Sequence, residues 1–212
     1  RVGGILSGKA GLVNIHMGDG EEKLEFLRYI LEKTQISAAN MLPTHINRST
    51  TLMNDGIDYA RNLGGYIDLT TSSDPDFLEP DEVKASTGLK MALDAGVLID
   101  HITFSSDGQG SLPIFHADGS FAGLGVGKVT SLYREMKDAV LKDGVALSDA
   151  LKPVTSNPAN LLKLGQKGKI RENADADLVL AEADTLEIDT VIARGRIMIY
   201  KREVLVKGTF EN

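Results

Sequence analysis

"HITFSSDGQG" (residues 101–110) runs from a strand-like alternation straight into an acidic residue, Asp107, flanked only by Ser and Gly. A carboxylate presented where a strand ends belongs to a functional rim more than to a core. Working outward, three earlier segments share this design. "GLVNIH" (11–16), "ANMLPTH" (39–45) and "YIDLTTS" (66–72) read as strands, the first two of which also end on a polar residue, His16 and His45. Helical patterns lie between them. "EEKLEFLRYILEKT" (21–34) puts Leu24, Leu27, Ile30 and Leu31 on one face, "TLMNDGIDYARNLG" (51–64) stops at Gly64 and Gly65, and "PDEVKASTGLKMALDAG" spans 80–96.

Strand ends therefore recur about every 30 residues, the spacing of βα units in a parallel sheet. Four such units suit half of a doubly wound sheet or half of an eight-stranded barrel. His16, His45 and Asp107 tip the choice, because barrel enzymes keep their chemistry at the carboxyl ends of separate strands. The expected fold is α/β: half of a (β/α)8 barrel over residues 1–164, then a small β unit over 165–212. In that second part "GKIRENADADLVLAEADTLEIDTVIARGRIMIYKREVLVKGTF" consists of short β runs broken by turn residues. A glycine-rich loop from Gly108 to about Val126 is long enough to be a lid. In "LSDALKPVTSNPANLLKL", Ser148 reads as a helix N-cap and Asn157-Pro158 as a cap with proline in the first turn.

Composition narrows the chemistry. The 212 residues are 42% hydrophobic and 25% charged, which places them with folded globular chains. A net charge of −7 would repel a phosphate backbone, so nucleic acid is not an expected partner. No apolar run reaches the roughly 18 residues of a membrane span, and the default compartment is cytoplasmic. Cysteine is absent, which leaves His, Asp and Glu as metal ligands. The chain opens on Arg1, without a start residue or signal pattern, and reads as a piece of a longer protein.

Two neutral imidazoles and a carboxylate form a suitable zinc shell with a position open for water. His16, His45 and Asp107 are the candidate metal ligands. His101 begins its strand and His116 precedes an Asp118-Gly119 turn, so both are set aside. Arg48, three residues after His45, has the planar fork that binds a carboxylate, and Ser111 could donate to the same anion. "GLGVGK" (123–128) fails as a phosphate loop, which needs Gly at 122 and Ser or Thr at 129, where Ala122 and Val129 stand. "DADLVL" (175–180) reads as a turn entering a strand.

"SDALKPVTSNPANLLKLGQKGKIRENADADLVL" resembles the closing segment of the amidohydrolase superfamily. Within it, "NIHMGDG", "LPTHINR", "ITFSSDGQGS" and "VKGTFEN" are similar to the isoaspartyl (β-aspartyl) dipeptidases along nearly the whole chain. The resemblance implies strands five to eight of a distorted barrel, ending at His16, His45, about Thr70 and Asp107, followed by part of a small β-sandwich. It implies two zinc ions per complete subunit, one held by His16 and His45, and Asp107 as a ligand of the other and the catalytic acid and base. Arg48 and Ser111 would hold the free carboxylate of a β-aspartyl dipeptide. The family's His-x-His pair and bridging lysine would lie in an N-terminal half, so the isolated chain is expected to be inactive. Octameric assembly is also implied. A cyclic amidase, a deacetylase, or a metal-free barrel homologue used for binding or assembly are the alternatives.

Overall fold

In a computed structural model the described residues are 1–72, 81–116 and 120–208. A short helix α1 (Val2–Leu6) leads into β1 (Val13–His16), then α2 (Glu25–Lys33), β2 (Met41–Thr44), α3 (Thr50–Leu63), β3 (Ile67–Thr70), α4 (Ala85–Asp94) and β4 (Ile102–Ser105). Strands β1 and β2 pair in parallel, with His16 opposite Thr44, and β3 and β4 do the same, with Asp68 opposite Thr103. Side chains join the two pairs, as Thr44 donates to Asp68. This is the wall of a partial barrel, as the alternation of strand and helix predicts.

The central strands β2 and β3 read as they do because they are covered on both sides. All four residues of β2 and all four of β3 are buried, whereas β1 is largely exposed. Helix α2 presents Leu24 and Leu27 to the core, with Ile30 and Leu31 packed at its margin, the face the sequence picks out. Leu52, Met53, Ile57 and Ala60 do the same from α3, against Ile67 and Leu69. Each such fully buried aliphatic side chain stabilises the fold by about 1.5–3 kcal/mol. Ser49 caps α3, accepting from the Leu52 amide at 3.3 Å, and Gly64 ends it at φ 66°.

After β4 the structure departs from one expectation. The expected loop from Gly108 to about Val126 contains two strands: β5 (Ser111–Phe115) and β6 (Phe121–Val126) pair antiparallel. Pro113 and the clustered glycines mask the strand pattern in the sequence. The expected turn at Asp118-Gly119 lies outside the described residues.

Helices α5 (Ser131–Leu141), α6 (Leu147–Ala150) and α7 (Ser156–Leu161) follow. Neither predicted cap holds. Ser148 lies within α6, and Asn157 within α7, where its amide donates to the carbonyls of Ile99 and Ile102 at 2.7 and 2.8 Å. Asn157 thereby ties α7 to the start of β4. The last strands, β7 (Leu178–Ala181), β8 (Ile188–Ala193), β9 (Arg196–Tyr200) and β10 (Glu203–Val204), form an antiparallel sheet in the order β10-β9-β8-β7. Asp175 and Asp177 pair with Lys167 at the turn before β7. Tyr133 on α5 donates to the Leu186 carbonyl at 2.8 Å, docking the sheet on the barrel helices. Among the described residues no helix is long and apolar enough to cross a membrane.

Candidate active site

His16 closes β1, and His45 stands one residue past β2. The backbone of His45 is left-handed (φ 65°, ψ 29°), a conformation uncommon outside glycine. That twist turns the chain from the strand into the 3-10 turn Ile46–Arg48. The two imidazoles meet edge to face, with centroids 4.9 Å apart and His45 Nε2 3.0 Å from His16 Nδ1. Two ring nitrogens this close need a proton or a cation between them. His45 is held below the ordinary histidine range, first by burial and then by the positive charge of Arg48, with Asp107 opposing. A neutral imidazole is the form that ligates. The pair therefore fits a metal ion.

Asp107 lies two residues past β4, also with positive φ (45°). Its carbonyl accepts from the Gly110 amide at 2.9 Å. Gly127 donates to the Gly110 carbonyl and accepts from Gln109, both at 2.9 Å, closing the turn. A Cβ at Gly110 or Gly127 would come within 2.7 or 2.6 Å of the Asp107 carbonyl oxygen. Gly127, the last glycine of the stretch that fails as a phosphate loop, thus serves with Gly110 to enclose Asp107. Gly108 is not open space either, since a Cβ there would meet Val129 at 2.8 Å. Among the described residues no three His, Asp or Glu side chains gather closely enough to hold a metal. The structure joins His16 to His45 directly, while Asp107 reaches His45 through its charge. Arg48 is exposed at the end of its turn, and Ser111 is exposed at the head of β5. His101 Nδ1 donates to the Gly65 carbonyl (3.0 Å), a structural contact.

Sequence reasoning misses Asp68. Its carboxylate is buried at the middle of β3 and accepts hydroxyls from three places: Thr44, Ser105 and, at 2.6 Å, Thr103. Burial pushes it up to about 6 from 3.8, against the pull of those hydroxyls and of His16. The available signal was an acid inside an otherwise apolar strand, with hydroxyl residues on both neighbouring strands.

Thr70 and Asn47 were missed as well. Thr70 Oγ1 lies 2.7 Å from His45 Nδ1. Asn47 accepts from the Thr70 amide at 2.7 Å and donates to the carbonyls of Thr70 (3.0 Å) and Val83 (2.8 Å).

Parallel strands bearing histidines and an acid at their carboxyl ends put these side chains on the rim where barrel enzymes carry their chemistry. Residues 12–198 match the amidohydrolase family, and the chain belongs to it. Two solved structures of β-aspartyl dipeptidase from the thermophilic Fervidobacterium islandicum AW-1 are similar to nearly all of it. One, in complex with a β-Asp-Leu dipeptide, is 40% identical with a TM-score of 0.83, over 99% of this chain and 52% of that one. The other is 35% identical with a TM-score of 0.81, over 99% and 51%. An amidohydrolase from Thermotoga maritima MSB8, 18% identical with a TM-score of 0.57 over 89% and 43%, shares the fold. The chain spans about half the length of the dipeptidases it matches.

Proposed function

We propose that the protein carrying this chain is a zinc-dependent β-aspartyl dipeptidase. The observation that carries this reading is the facing pair of ring nitrogens on His16 and His45, within a chain similar along 99% of its length to a β-aspartyl dipeptidase. His16 through Nδ1 and His45 through Nε2 would hold one zinc ion, and Asp107 would offer an oxygen to a second. Bound zinc supplies Lewis acidity, which polarises a carbonyl and makes water acidic near neutral pH.

This chain's own residues do the rest. The carboxylate of Asp107 takes a proton from the attacking water and returns it to the departing amine. Water oxygen adds to the isopeptide carbonyl carbon, the C–N bond breaks, and aspartate and an amino acid leave. Arg48 offers two parallel N–H donors to the free carboxylate of the substrate, and Ser111 a third from its hydroxyl. That grip fixes the carbonyl relative to Asp107 and selects β- over α-linked aspartyl dipeptides. In the same reading residues 1–164 belong to the catalytic barrel and 165–212 to the small β domain, and the subunits assemble as homo-oligomers.

The test is cleavage by the complete protein of β-Asp-Leu against α-Asp-Leu, as purified, after chelation, and after zinc is restored. Cleavage of the β-linked compound alone, lost on chelation and regained with zinc, is expected. Equal cleavage of both, or activity indifferent to chelation, would overturn the proposal.

A further inference from the structure

His45 has two ring nitrogens with opposed duties. Nε2 faces His16 Nδ1 at 3.0 Å, and Nδ1 faces Thr70 Oγ1 at 2.7 Å. A neutral imidazole carries one proton, and the nitrogen that carries it cannot bind a cation. Nε2 is free for a cation only when the proton sits on Nδ1. There it needs an acceptor, because His45 is buried. Thr70 Oγ1 is at the right distance to accept it.

The backbone that carries the Thr70 hydroxyl is itself held in place. Asn47, two residues beyond His45 in the same turn, bonds both the amide and the carbonyl of Thr70 and reaches the carbonyl of Val83. The Val83 amide returns a bond to the Asn47 carbonyl at 2.9 Å. The end of β2 and the end of β3 are thus fastened twice, once from ring to hydroxyl and once from amide to backbone. Neither His45 nor Thr70 can turn without breaking buried hydrogen bonds.

We propose that Thr70, clamped by Asn47, is a positioning residue that keeps the His45 proton on Nδ1 and so presents Nε2 for metal. The proposal rests on the reading of His16 and His45 as zinc ligands. Partners of this kind beyond the ligands commonly govern metal affinity by about 10- to 100-fold. Thr70→Val preserves shape and removes the acceptor. Thr70→Ser preserves the acceptor and removes only a methyl group.

In the complete protein, zinc affinity is measured by competition with a chromophoric chelator. The ring tautomer of His45 is read from nitrogen-15 NMR of the metal-free protein. Thr70→Val is expected to weaken zinc binding about 10- to 100-fold, and Thr70→Ser to return it close to wild type. The His45 proton should lie on Nδ1 in wild type and Thr70→Ser, and shift to Nε2 in Thr70→Val. Wild-type zinc affinity in Thr70→Val, or a Thr70→Ser variant as weak as Thr70→Val, overturns the role of Thr70. So does a wild-type spectrum with the proton on Nε2, a reading that needs no variant to fold. His45→Ala separates the two proposals: zinc binding that survives it rejects the metal site itself, whereas zinc lost in His45→Ala but kept in Thr70→Val rejects Thr70 alone.

Discussion

Gly127 lays its bare α-carbon against the main-chain carbonyl of Asp107, where a Cβ would stand only 2.6 Å from the oxygen. Real side chains do not come that close to backbone. Gly127→Ala is therefore expected to displace Asp107 and lower kcat about 10- to 100-fold, the scale of an ångström's misplacement of a reacting group. Steady-state kinetics of the complete protein, with thermal unfolding as a control, checks this. An unchanged kcat in a folded variant would show that the position of Asp107 is not set by this contact.

Asp107→Asn keeps the size of the side chain and removes the proton acceptor. Turnover of β-Asp-Leu should fall about 10²- to 10⁴-fold, with the fold retained by circular dichroism. Near-normal turnover would take Asp107 out of the proton transfer.

Arg48→Met retains the length of the arm and deletes the guanidinium fork. Loss of a charge-assisted pair should reduce kcat/KM about 10- to 100-fold for substrates with a free carboxylate. Amidated analogues should lose far less, and equal losses for both would assign Arg48 another task.

Asp68 gives a pH signature. Its carboxyl titrates near 6 in the folded chain, above its ordinary value of 3.8. The folded state then holds the proton more tightly than the unfolded state. Stability is highest below about pH 4, falls as pH rises toward about 6, and is level beyond, for a difference of a few kcal/mol. Asp68→Asn cannot titrate, so urea unfolding of the metal-free protein should show the wild type losing ground to this variant across that window. A constant gap between the two from pH 4 to 7 would clear Asp68 of the effect.

Asn157→Ala leaves the carbonyls of Ile99 and Ile102 without their shared donor. A cost of about 1–3 kcal/mol is expected, read as a lower urea midpoint. An unaltered midpoint would mean that these carbonyls find other donors.

What the sequence disclosed follows from the range of the forces involved. The four strands and the helices α2 and α3 were legible because burial imprints a local period on the chain, as with Leu24 and Leu27. The meeting of His16 and His45 was legible because strand ends of a barrel share one rim. The hairpin β5–β6 was hidden by Pro113 and its glycines, whose strand role depends on a partner rather than on their own preference. Asn157 carries the signature of a cap, yet its amide serves carbonyls more than fifty residues away. Asp68 and Thr70 were opaque for the same reason. A single acid or hydroxyl in a strand acquires meaning only from side chains brought to it by other strands.

His16 sits opposite Thr44, one step short of His45, so the imidazoles meet on a diagonal between neighbouring strands. Because successive side chains point to opposite sides of a strand, an extended His45 would aim its ring away from His16, and it is the left-handed backbone of His45 that brings the two rings together. The histidine pair is in this sense a built-in gauge of assembly: the rings touch only when β1 and β2 are in step and the turn after β2 has wound left-handed.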